Sequence, residues 1–208
     1  MCNKTIHNIQ TLQMVYELLD LETLTGSYLL HNQLEPHVSS EQLDSNVARL
    51  MDTPLEVFNT LQVAVPTFND NEYNLYHMLG TGPNLFQKQG RADGLVFVRC
   101  CKTYAATNVA GRLDGMIVAK LNALFKLRDI DVNKTCSLAH ISLLNAIGSP
   151  TLDGPECMVH VGIPMKNHVV HIRDIKGLAH LISINPDNLY LVNNHIDIHT
   201  WNETYNGN

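Results

Sequence analysis

The residues best suited to chemistry form one alternating run, His195-Ile196-Asp197-Ile198-His199. On a strand, His195, Asp197 and His199 share a face. Two imidazoles and a carboxylate suit a divalent metal, which makes these three the candidate metal ligands. The plainer alternative has Ile196 and Ile198 facing a core while the polar three face water. No cysteine or carboxylate cluster nearby completes a ligand set, so no metal or other cofactor is expected. The chain holds 11 histidines. His140, His160, His168, His171 and His180 fall on expected strands, and their titration would make folding pH-sensitive. His168 and His171 are three apart, so a regular strand sends them to opposite faces.

Nucleophile systems are absent at the level of motif. There is no Gly-x-Ser-x-Gly, no phosphate-binding loop of the Walker type and no dinucleotide-binding glycine fingerprint. Cys100 and Cys101 are flanked by Arg99 and Lys102, cations that could lower a thiol pKa. Small buried hydrophobes are the simpler role for them. The cysteines number 5, an odd count, and none sits in a Cys-x-x-Cys pair. With no secretory leader pattern after Met1, this points to thiols in a reducing, intracellular compartment, nuclear or cytoplasmic. The Asn-x-Thr sequons at Asn3, Asn133 and Asn202 carry no meaning there.

Two kinds of element must position these residues. Ile9, Leu12, Val15 and Leu19 repeat at helical spacing, so a helix with one apolar stripe is expected over 5–25. A second helical stretch is expected over 40–63. Ser39 with Gln42 is a capping-box pattern ahead of Leu43, Val47 and Leu50. Thr53-Pro54-Leu55-Glu56 is a sharper start signal, with Val57, Phe58 and Leu61 as its buried face and Pro66 as its stop. Residues 67–92 are rich in turn chemistry and read as a connector.

From Gly94 the period becomes two. Ile117, Ala119, Leu121, Ala123, Phe125 and Leu127 are apolar at every second position, which predicts one half-buried strand. Cys157, Val159, Val161 and Ile163 alternate in the same way. Further short runs lie at 94–101, 136–144, 168–173, 178–184 and 189–193. Turn signals separate them at Gly148-Ser149-Pro150, Asp153-Gly154-Pro155, Lys166-Asn167 and Asn185-Pro186-Asp187-Asn188. The expected fold is α+β: N-terminal helices (1–66), a connector (67–92), then a small antiparallel β barrel or sandwich (93–208). A short closing helix from Thr200 would dock Trp201 and Tyr205 on it.

Composition narrows the partners. Of 208 residues, 45% are hydrophobic and 16% charged, enough apolar material for a core. No apolar run approaches the ~20 residues of a membrane helix, so no membrane is expected. The formal net charge is -6. Residues 1–90 hold ten acidic side chains against Lys4, Arg49 and Lys88, while 91–208 are nearly balanced. The stretch 91–134 has an excess of four basic residues. It could serve a weak nucleic-acid-binding β module, but a solvated strand face is the plainer reading, and the overall charge disfavours phosphate binding.

Several segments, taken in order, resemble a known family. They are Pro54–Leu61 with Val65-Pro66, Gly80-Thr81-Gly82-Pro83, Arg91–Val98, Gly111-Arg112-Leu113, Ala119–Leu127 and Leu138–Ile141. Gly177–Ile182, Leu191–Asp197 and Trp201–Tyr205 complete the set. Together they resemble the C-terminal region of the large transposon-derived proteins of mushroom-forming fungi, the Plavaka type. The resemblance spans about residues 54–205. It implies a zinc finger and an acidic transposase core elsewhere in such proteins, and a β-rich tail of unknown function. Neither the finger spacing nor the acidic core is found in this sequence, so no catalytic residue carries over. The helical stripe starts almost at Met1, consistent with a reading frame that begins inside a longer ancestor. The expectation is a non-catalytic interaction module with a protein partner or a second copy of itself, using an apolar patch on its helices.

Overall fold

A computed structural model of the protein describes residues 6, 8–33, 50, 53–65, 75–81, 94–99, 116–129, 134–147, 160–185 and 189–192. Among the described residues two helices come first, α1 (Ile9–Val15) and α2 (Leu21–Gln33). Ten described strands follow: β1 (Leu55–Phe58), β2 (Thr60–Val65), β3 (Leu75–Gly80), β4 (Leu95–Arg99), β5 (Met116–Asp129), β6 (Lys134–Ile147), β7 (His160–His171), β8 (Ile175–Leu178), β9 (Leu181–Asn185) and β10 (Leu189–Val192). A 3-10 turn, Ile172–Asp174, links β7 to β8. The protein is thus α+β, with helices at the start and a mostly antiparallel sheet.

The main sheet runs β8-β4-β5-β6-β7-β10-β9, with β1 also paired to β5. β5 is its spine. One edge of β5 pairs with β6 along nearly its whole length, and the other pairs with β4 over Met116–Lys120 and with β1 over Leu124–Leu127. β2 and β3 form a separate antiparallel ribbon. β8 and β9 stand at opposite ends of the sheet path yet are joined through Ala179 and His180 alone. The sheet must therefore curl. Leu181 of β9 packs in one cluster with Leu95 and Phe97 of β4. Among the described residues β8 and β9 are not paired, so the strands do not close into a barrel.

Apolar side chains fill both faces of the sheet. On one face, Leu55, Val57, Ala123, Phe125, Leu127, Leu138 and Val169 pack beneath Ile9, Leu12, Leu18 and Leu21 of the helical region. On the other, Val96, Val98, Ala119, Leu121, Leu124 and Ile141 pack beneath Leu79, Leu61 and Val63 of the ribbon. The alternating run of β5 therefore does not line one face, as expected. Ala119 and Leu121 feed the ribbon side, whereas Ala123, Phe125 and Leu127 feed the helix side. The cause is a bulge. Leu121 faces Ile141 and Ala123 faces His140, leaving Asn122 as an extra residue on β5. One extra residue inverts every side chain beyond it.

Other expectations are corrected as well. Thr53-Pro54-Leu55-Glu56 does not start a helix. Residues 55–58 and 60–65 are strands, with Leu55 and Val57 buried and Glu56 exposed between them. Pro54 needs no amide partner at the start of a strand, and pairing with β5 outweighs the local helix signal. The stretch read as a connector contains β3. Lys166-Asn167 lies inside β7 rather than in a turn, and two register shifts opposite Leu143–Ala146 absorb the irregularity there. The helical stripe over 5–25 breaks at Tyr16, so Ile9 and Leu12 are buried while Val15 and Leu19 are not. The helix expected over 43–50 lies outside the described residues except for Leu50, which is buried. The closing helix at Thr200 also lies outside them.

Candidate functional site

The residues singled out for chemistry fare unevenly. His195, Asp197 and His199, Cys100 and Cys101, and Trp201 and Tyr205 all lie outside the described residues. Among the described residues, no group of three His, Cys, Asp or Glu side chains could hold a metal ion. His140 and His168 sit on neighbouring strands but on opposite faces, because Ile141 of the ribbon-side core is the residue paired with His168. His168 and His171 do diverge as the spacing required. The His171 ring caps the 3-10 turn, its Nδ1 accepting from the Arg173 amide at 3.1 Å. Cys136 packs half-buried against the helix-side core, and burial pushes its thiol up despite the nearby Arg173. That favours the protonated thiol over a nucleophile.

The described part of the basic stretch makes no single surface. Lys120 lies across from Ser142 and Leu95, on the helix side. Lys126 lies across from Glu56, on the ribbon side.

Two features unmarked in the sequence stand out. The first is a polar seam. Along the helix face, β6 presents Leu138, His140, Ser142 and Leu144 in turn. Leu138 belongs to the core beneath the helices, and Leu144 to a separate cluster with Phe97, Val118, Ala179 and Val192. His140 and Ser142 divide the two. The bulge residue Asn122 reaches both, its Nδ2 lying 3.1 Å from His140 Nδ1 and donating to Ser142 Oγ at 2.7 Å. Ser142 Oγ in turn donates to Asn167 Oδ1 at 2.7 Å.

These bonds fix the histidine tautomer. An amide nitrogen only donates, so His140 Nδ1 accepts and the ring proton sits on Nε2. His140 is 1% exposed, and its Nε2 has no hydrogen-bond partner. Burial, reinforced by the positive charge His168 can carry, lowers its pKa to about 4. The imidazole therefore stays neutral at ordinary pH. It does not activate Ser142, whose hydroxyl is committed to two amides. The seam is an internally bonded polar joint, not a reacting constellation.

The second feature is an apolar ridge. Met14, Val15 and Leu19 are 71%, 46% and 73% exposed, and they are the exposed large hydrophobics among the described residues. The way α1 ends explains why. The Leu18 amide donates to Gln13 O at 2.9 Å and the Glu17 amide to Met14 O at 3.4 Å, the paired bonds of a Schellman motif. Glu17 occupies its left-handed position, with φ 52°. Leu18 is thereby turned into the core beside Leu12. Asp20, also left-handed at φ 59°, accepts from the Leu24 amide and opens α2. The Tyr16 hydroxyl bonds Asn59 Oδ1 at 3.2 Å, tying this turn to the bend between β1 and β2.

No family model, no curated protein and no solved structure matches this chain.

Proposed function

We propose that this chain is a non-catalytic interaction module that corresponds to the β-rich C-terminal region of Plavaka-type transposon-derived proteins. The observation that carries the interaction reading is the ridge. Met14, Val15 and Leu19 stand in solvent while the seam's side chains bond one another. A group that is satisfied internally has a structural role, whereas exposed apolar surface gains only by meeting something outside.

The family part rests on the ordered segments, and these fall on strands that touch. Leu55–Leu61 spans β1, Leu95–Val98 lies on β4, Ala119–Leu127 on β5 and Leu138–Ile141 on β6. β1, β4 and β6 all pair with β5. On this reading the curled sheet is a barrel-like module, and its setting is intracellular, nuclear or cytoplasmic. No described helix is long and apolar enough to cross a membrane. The division of the described lysines between two faces disfavours nucleic acid as the partner.

Size-exclusion chromatography with light scattering, with metal quantified in the same peak, tests the reading. A folded peak without bound metal supports it. Stoichiometric metal that disappears in His195→Ala overturns it in favour of a metal-binding module built on His195, Asp197 and His199.

A further inference from the structure

We infer that the ridge of Met14, Val15 and Leu19, with Glu17 among them, docks a basic amphipathic segment of a partner protein. This rests on the interaction reading and gives it a chemistry. Residues 8–33 contain Glu17, Asp20 and Glu22 and no lysine or arginine. The charged side chains of the described helical region are thus all acidic.

Two of the acids have a local use. Asp20 and Glu22 stand at the start of α2, where negative charge complements the helix dipole. Glu17 has none. It follows the C-terminus of α1, where the dipole disfavours an anion. It also holds a left-handed conformation (φ 52°) that glycine adopts at lower cost. A residue that breaks two local rules with no structural return points to a role outside the fold. Glu17 is exposed and lies between the exposed Met14 and Leu19 in the chain, so its carboxylate offers a cation a partner near an apolar contact.

The same charges exclude other occupants. A second copy meeting this surface face to face would set Glu17, Asp20 and Glu22 against themselves. Three side chains are also far fewer than the roughly 20–30 residues a side of a stable protein interface. Anionic lipid and nucleic acid are repelled. What fits is a short segment with apolar residues at helical spacing and lysine or arginine beside them.

The test uses the full chain and a fluorescein-labelled 18-residue peptide of leucine and lysine patterned as an amphipathic helix. Its control replaces each lysine with glutamate. Anisotropy titrations should show saturable binding of the basic peptide, weakened several-fold by raising salt from 50 to 500 mM. The double variant Met14→Gln/Leu19→Gln should lose at least tenfold in affinity. Glu17→Gly should weaken binding several-fold while raising the melting temperature, a divergence that a purely structural role would not produce. Equal binding of the acidic control, equal binding by the double variant, or no saturable binding at all sinks the inference. If light scattering shows a dimer that the double variant abolishes, the ridge meets its own copy. The interaction reading then stands and the basic partner falls.

Discussion

The polar seam and the apolar ridge break opposite rules. In the seam, His140 and Ser142 are polar yet buried. On the ridge, Met14 and Leu19 are apolar yet exposed. The seam offsets its burial with bonds among Asn122, His140, Ser142 and Asn167, leaving only one ring N–H unmatched. The ridge has no such internal return. The contrast teaches that an unexpected residue type is not by itself a functional signal. What separates the two is whether the fold answers it.

The largest test removes the seam's origin. Deleting Asn122 removes the extra residue while Leu121 and Ala123 keep their partners on β6 and their own faces, so both cores survive. What is lost is the amide that bonds His140 and Ser142. The expected outcome is a folded variant destabilised by about 1–3 kcal/mol for each buried partner left unmatched, read by urea denaturation. A deletion variant as stable as the parent would show that the seam's bonds contribute nothing to the fold.

Next comes the seam's dependence on pH. Above 6.5 neither the native nor the unfolded His140 is protonated, so the ring contributes no slope. Below 6.5 the unfolded chain binds the proton while the native ring resists it to about 4. Stability should therefore fall as pH drops through that window, by roughly 1.4 kcal/mol per pH unit at most. His168 and His171, also lowered by burial, add in the same direction. Urea denaturation of His140→Gln between pH 7 and 4 should give a shallower slope than the parent. Identical slopes would mean that His140 is not the group resisting the proton.

The ridge side of the comparison should give smaller effects on stability. Asn8 caps α1, its Oδ1 accepting from the Thr11 amide and hydroxyl, both at 2.8 Å. Asn8→Ala should cost about 1 kcal/mol in thermal unfolding. Leu19→Gln should change stability by no more than about 0.5 kcal/mol, as an exposed substitution does. A cost above 2 kcal/mol would place Leu19 in the core and erase the contrast.

The sequence announced β5 through its period, β4, β6 and β10 as short runs between turn signals, and the α+β order with them. It hid the bulge, because Asn122 sits where an alternating pattern already expects a polar residue. The division of one stripe between two cores was therefore illegible, and so was the seam. The ridge was hidden in a different way. Val15 and Leu19 continue the spacing of Ile9 and Leu12 perfectly well, and no glycine marks the left-handed break at Glu17. Thr53 to Glu56 misled because a good helix cap is a local preference, while β1 exists through its pairing with Leu124–Leu127 far along the chain.

The short link through Ala179 and His180 bears on how the protein is made. β4 is complete by Arg99, yet its second neighbour is β8, where Val96 meets Leu178. On the ribosome the β4 edge emerges long before its mate and waits bare through the synthesis of β5, β6 and β7. Val96, Phe97 and Val98 are then open to pairing with another nascent chain. Assembly rich in such distant pairings is slow. Expression yield should therefore respond to translation speed and chaperone supply more than to the finished fold's stability.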